Sequence, residues 1–297
     1  MSTSPTHSPD AAAPDPARPS AFTQFKRSLR SGPVLASLVI LVTIAIIAVL
    51  APFLGTSDPT LLDPAARLQS PSAQHLMGTD ALGRDVYSRV MYGARVSLAV
   101  GFGAAVASVA LGLFFGVVAG YFRAADAIIM RVMDGLMAIP AILLAIALVS
   151  LAGGSLLTVL IAIMIPETPR AVRLVRSVII SIRSEPYVEA AISLGTPVPM
   201  LLLRHMVPNT VAPLIVQGTF IFASAMLTEA AMSFLGVGLP PEIPSWGNIM
   251  AEGRTYFQLK PGLIFFAGGF LALTVLSVNM LGDAMRDALD PRMARKI

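Results

Sequence analysis

Four ionisable residues that fall inside long apolar stretches, and one Glu-Ala-Ala triplet that falls outside them, are where this chain could do chemistry. Glu167, Glu229, Arg131 and Asp134 interrupt runs that are otherwise almost wholly apolar. A charge in hydrocarbon costs at least a few kcal/mol, so such residues face a partner group or a cavity. They are read as pathway or gating positions, with Glu229 favoured as a hydrogen bond to another helix. Arg131 and Asp134 are three apart, as are Arg123 and Asp126, and that spacing lets each pair close along one helix face. Glu167 lies between Pro166 and Pro169 and three residues before Arg170, where freed carbonyls predict a kink. No nucleophile–base set accompanies them, because His7, His75 and His205 all lie outside the apolar runs. His75, Asp80 and Asp85 stand near one another, but their spacing matches no metal cage. The absence of cysteine excludes disulfides and thiol catalysis. Without a GxxxxGK[ST] phosphate loop the chain cannot hydrolyse nucleotide by that route. The chemistry left is docking and gating.

The elements that position these residues are membrane helices. The chain is 55% hydrophobic and 13% charged, with a mean hydropathy of +0.76, far from the soluble range, where about a quarter of residues are charged. A bilayer core of about 30 Å needs about 20 apolar residues in helix, the conformation that pairs its own backbone groups. Six stretches satisfy this: Val34–Leu54, Val96–Tyr121, Ala127–Leu151, Ser155–Val175, Thr210–Leu235 and Gly262–Leu281. The expected class is therefore an all-α, polytopic membrane protein with six transmembrane helices. Residues 1–33, with five prolines before position 20, are expected to be a disordered tail. The run after Lys26, Arg27 and Arg30 is longer than a signal peptide's apolar core and lacks a clear cleavage site, so an uncleaved anchor is expected at 34–54. A loop at 55–95, a membrane core at 96–283 with a polar connection at about 176–209, and a tail at 284–297 complete the division.

Lysine and arginine set the orientation. With the amino terminus inside, fifteen of the 21 basic residues fall on the cytoplasmic side. Both termini are then cytoplasmic, and the excess of basic charge marks inner loops and not nucleic acid.

This topology separates two similar stretches, "VEAAISLG" (Val188–Gly195) and "TEAAMSFLG" (Thr228–Gly236). The second lies inside the fifth span. The first lies in the cytoplasmic connection. There Ser184 is expected as N-cap, Pro186 in the first turn, and Gly195-Thr196-Pro197 as the stop of a short helix. A second helix at about Val198–Met206 would lead to Pro208 and re-entry. Ala191 and Gly195, four apart, would offer a small-residue face to a soluble partner. In span two, Gly112, Gly116 and Gly120 make a small-xxx-small face suited to tight helix packing. Trp246, the single tryptophan, reads as an interface anchor or an external contact.

Glu189-Ala190-Ala191, with Gly195 six residues after the glutamate and Pro208 thirteen further on, resembles the EAA signature of bacterial ABC importer permeases. His205-Met206-Val207-Pro208 departs mildly from the usual ending. "GTDALGRDVYSRVMYGARVSL" (Gly78–Leu98), "EAAMSFLGVGLPPEIPSWGN" (Glu229–Asn248) and "NMLGDAMRDALDPR" (Asn279–Arg292) look like the peptide/nickel branch, and within it the second permease subunit of dipeptide and oligopeptide importers. The resemblance implies a type I ABC importer permease fold in the bacterial cytoplasmic (inner) membrane. Glu189, Ala190, Ala191, Gly195 and Pro208 would make the contact with an ATPase. The implied partners are a homologous second permease subunit, two ATPase subunits that hold ATP-Mg, and an extracytoplasmic substrate-binding protein; no cofactor is implied on this chain. It also implies that Arg84, Asp85 and Arg89 are held by mutual pairing or by the partner permease. Peptides are the expected substrate, with nickel complexes or glutathione as alternatives. An ATP-independent secondary transporter would instead show inverted repeats, and none is visible.

Overall fold

The computed structural model describes residues 31–289, which form a helical bundle without strands among the described residues. Helix α1 (Gly32–Leu50) ends in a 3-10 turn at Ala51–Phe53, and an irregular segment follows. Helix α2 (Val86–Tyr121) begins ten residues before the expected second span, because Asp85 caps it by accepting from the Ser88 amide at 2.8 Å. At about 1.5 Å per residue its 36 residues extend about 54 Å, well beyond a hydrocarbon core. The surplus turns belong to the 55–95 segment. Arg95 on that surplus donates to the carbonyls of Ala48 and Val49, holding α1 to α2.

The expected third span is two helices, α3 (Arg123–Met137) and α4 (Ala141–Ala152), bent 88° from each other. Pro140 explains the break, since a proline cannot continue the hydrogen-bonded ladder. Helix α5 (Leu156–Arg183) in contrast runs without interruption through Pro166 and Pro169, so Glu167 sits in continuous helix and not at a break. After α6 (Pro186–Ser193) and α7 (Val198–Leu201), a π turn at Leu202–Met206 leads directly into α8 (Val207–Phe234). The short second helix expected at about Val198–Met206 is thus one helical turn and a π turn, continuous with the next long helix. Pro208 lies in the first turn of α8, and the widened turn before it, closed by Val207 N–H to Leu202 O, absorbs the missing donor. A short helix α9 (Trp246–Thr255) and a last long helix α10 (Gly262–Leu289) complete the bundle.

Helices α2 and α5 form its central seam. A Cβ at Gly112, Gly116 or Gly120 would fall 2.2 to 2.6 Å from the Cβ of Ala171, Val175 or Ile179 respectively. Only glycine lets the two backbones approach this closely. By length and apolarity, α1, α2, the α7–α8 run and α10 can each cross a membrane, and the bent α3–α4 pair makes a fifth candidate. The second half of α5 carries Glu167, Arg170, Arg173 and Arg176.

Candidate functional site: an exposed elbow and the buried charges behind it

The elbow is built around α6. Glu185 stands at its N-cap, and Ser184, expected there, instead donates back to Ser181 O at 3.0 Å. The helix is eight residues long and ends at Ser193. Gly195 adopts φ +76°, and the bonds Gly195 N–H to Ile192 O and Thr196 N–H to Ala191 O close the end. This early stop changes the expected small-residue face. Ala191 turns inward with Val188 onto Ile179, Leu201, Met206 and Ile221, while Gly195 has open space around its α-carbon. Glu189 and Ala190 are exposed, and the Glu189 carboxylate makes no hydrogen bond among the described residues.

The outer surface of the elbow is more apolar than its small residues suggested. Leu194 is 86% exposed, and Tyr187, Ile192, Met200 and Leu203 of the same elbow are exposed as well. Asn209 steadies the elbow from α8: its side-chain amide donates to His205 O at 2.8 Å and to the Tyr187 hydroxyl at 3.3 Å. Pro208 is exposed beside it. The apolar rim was readable in "YVEAAISLG" only once the early helix end was known, because that end decides which residues turn outward.

Behind the elbow, Glu167 is buried. Its carboxylate accepts from the Ser224 hydroxyl at 2.7 Å and from Arg170 Nη1 at 3.2 Å, linking α5 to α8. Asp134 and Arg131 do not pair. Asp134 accepts from Arg173 at 2.6 Å, and Asp126 takes a two-pronged contact from Arg176 at 2.5 and 2.7 Å instead of pairing with Arg123. The reason is tertiary: α3 lies beside α5, whose Arg173 and Arg176 reach the two carboxylates across the contact between the helices. Arg131 is exposed and unpaired among the described residues.

Glu229 is buried in α8. Its Oε1 accepts from Ser233 at 2.9 Å and from Ser245, the N-cap of α9, at 2.8 Å. Trp246 next to it is fully buried. Its indole donates to Val90 O at 3.0 Å and its amide to Ser97 Oγ at 3.1 Å. It is thus a core residue joining α9 to α2, not an exposed anchor or contact. Its hydrogen-bonding end meets the α2 backbone opposite Gly93, where a Cβ would lie 3.1 Å from the indole ring.

Sequence reasoning missed Glu252. It accepts from Arg84 at 2.6 Å and Arg89 at 3.0 Å, while Arg84 also holds Asp80 at 2.6 Å. Arg84 and Arg89 are therefore paired within this chain. Asp85 instead faces His75 at 2.9 Å. Burial pushes the Glu252 carboxyl above its ordinary value, and the two arginines partly offset that. The clue was an acidic residue in the short connection between α8 and α10, opposite two unassigned arginines.

A profile of the family described as binding-protein-dependent transport system inner membrane component matches residues 108–295. A probable peptide ABC transporter permease protein of Sinorhizobium fredii is 54% identical, over 84% of this chain and 86% of that protein. The dipeptide transport system permease protein of Alkalihalophilus pseudofirmus is 43% identical, over 92% and 89%. The glutathione transport system permease protein of Pectobacterium atrosepticum is 36% identical, over 91% and 90%. With its apolar helices and exposed elbow, this chain belongs to the family of binding-protein-dependent transport system inner membrane components, as a multi-pass permease of the cytoplasmic membrane.

Proposed function

We propose that this chain is the permease subunit of an ABC importer for peptides, and that the elbow at Tyr187–Leu203 receives the mechanical work of a separate ATPase. The observation that carries this is the elbow itself. A leucine 86% exposed at the tip, an unpaired Glu189 carboxylate and an open Gly195 make a protruding surface on an otherwise well-packed turn. Apolar surface rimmed by one free charge suits a protein partner, with a charge-assisted hydrogen bond to fix the register.

In this reading α1, α2, α3–α4, α5, α8 and α10 make six crossings with both termini and the elbow in the cytoplasm, in keeping with the five arginines between Arg170 and Arg204. A second permease subunit completes the conduit, two ATPase subunits hold ATP-Mg, and an extracytoplasmic binding protein delivers the peptide. Glu167 and Asp134 act as gating contacts between helices that move relative to one another. Glu229 fixes α9 to α8, and Arg131 faces the pathway. Relatives named for peptides and dipeptides at 54% and 43% identity favour peptides over the glutathione named at 36%.

The test is Gly195→Trp in the assembled transporter. The variant is expected in the membrane at wild-type abundance, with co-purifying ATPase and ATP-driven dipeptide uptake both reduced at least tenfold. Unchanged co-purification and uptake would remove the docking role. Uptake of glutathione or nickel in place of dipeptide by the wild type would correct the substrate alone.

A further inference from the structure

At the end of α5 lies an open cleft of about 650 Å³, lined by Tyr121, Phe122, Arg123, Ala124 and Arg183. It forms where α2 ends, the chain turns at Phe122 into α3, and the last residue of α5 closes over the turn. Two guanidinium groups border it and neither is neutralised. Arg183 lies over the Tyr121 ring at 5.2 Å and donates one hydrogen bond to Tyr121 O at 3.2 Å, which leaves its other donors available. Arg123 makes no hydrogen bond or ion pair among the described residues. The acids close to them in sequence do not compensate them: Asp126 is occupied by Arg176, and Glu185 is exposed without an ion pair to either arginine among the described residues. Phe122, 45% exposed, supplies apolar surface, and Tyr121 the amphipathic ring found at a membrane boundary.

We propose that this cleft binds the phosphodiester of an anionic phospholipid, with Arg123 and Arg183 on the phosphate oxygens and the acyl chains running along Phe122 and the end of α2. Basic pockets between membrane helices on the cytoplasmic side have this chemistry, and forked guanidinium donors match the oxygens of a phosphate. Arg183 is the last residue of α5 and stands three residues before α6 begins. A bound headgroup therefore braces the root of the elbow against the α2–α3 turn. The cytoplasmic location rests on the orientation proposed above; the binding itself does not.

The experiment is native mass spectrometry of the assembled transporter released from nanodiscs of phosphatidylcholine mixed with phosphatidylglycerol. The wild type is expected to retain phosphatidylglycerol. Each basic residue near the surface contributes roughly a factor of five to such attraction, so R123Q/R183Q should weaken binding roughly 30-fold. R123Q alone, which removes no intramolecular bond, should weaken it roughly fivefold, and R123K/R183K, which keeps the charges but loses the forks, should fall between the wild type and R123Q/R183Q. Equal retention by wild type and R123Q would overturn the proposal. So would stabilisation by inorganic phosphate in pure phosphatidylcholine discs equal to that by phosphatidylglycerol, because the site would then take a free anion. Both leaflets of a nanodisc carry the lipid, so retention is independent of orientation. Side-specific labelling of S184C in cells tests the orientation separately.

Discussion

Leu194 and Leu235 close their helices with the same three backbone bonds. Leu194 N–H reaches Ala190 O, Gly195 N–H reaches Ile192 O and Thr196 N–H reaches Ala191 O; the corresponding partners of Leu235, Gly236 and Val237 are Ala231, Ser233 and Met232. Both glycines lie at positive φ, +76° and +82°. The two Glu-Ala-Ala stretches thus share a local ending although one lies at the surface and the other runs through the bundle.

Because each ending needs a left-handed residue, Gly195→Ala and Gly236→Ala should each cost about 1 kcal/mol, the strain of an L-residue in that region. Asparagine tolerates the conformation, so Gly195→Asn should recover most of the loss. Thermal denaturation in detergent measures all three. Equal stability of Gly195→Ala and the wild type would mean that the turn relaxes into another form.

Glu229 should act through its acceptor oxygen. Glu229→Ala leaves the Ser233 and Ser245 hydroxyls without their partner in a buried place, a loss of about 1–3 kcal/mol. Glu229→Gln keeps an oxygen for both donors and should be milder. The readout is the denaturation midpoint, with proteolysis of the 236–245 connection as a local probe. A Gln variant as unstable as the Ala variant would show that the negative charge itself is needed.

What could be read in the chain was local, and what could not was tertiary. The helix stop at Gly195 and the small-residue seam of α2 followed from spacing alone, whereas the bend between α3 and α4 did not. The partner of Asp134 did not, because Arg131 at three residues' distance and Arg173 on another helix look equally available until α3 is known to lie along α5. The inward turn of Ala191 depended in the same way on where α6 stops. The two prolines of α5 do not interrupt it, and its second half packs against the α2 glycines. Glu252 escaped notice because its significance depends on Arg84 and Arg89, more than 160 residues away.

The two ion pairs between α3 and α5 should differ in strength. The side chains of Asp126 and Arg176 are 25% and 31% exposed and meet through two bonds, whereas those of Asp134 and Arg173 are 56% and 44% exposed and meet through one. Exposed pairs contribute about 0.2–1 kcal/mol. Double-mutant cycles with alanine should therefore give about 1 kcal/mol of coupling for the first pair and at most about 0.5 for the second. If the second pair gates transport, its removal should alter uptake more than it alters stability. A larger coupling at Asp134 would mean that lipid or a partner shields it from water.

Trp246 supplies the most discriminating case, because its exposed and buried readings predict opposite results. Buried, with its indole on Val90 O and its ring beside Phe270, it should contribute through packing and one hydrogen bond. Trp246→Phe removes the donor while the Val90 carbonyl keeps its bond within α2, so the loss is that of one hydrogen bond, about 0.5–1.5 kcal/mol. Trp246→Ala adds a cavity and should cost about 3–5 kcal/mol. Neither should change the affinity of the folded transporter for its delivering protein. The decisive comparison is binding per folded molecule, counted by size-exclusion chromatography, against the denaturation midpoint. A phenylalanine variant of normal stability but weakened binding would place the tryptophan back at the surface. A fall in the midpoint at constant binding means that Trp246 works by holding α9 against α2, so that Glu252 arrives at its two arginines.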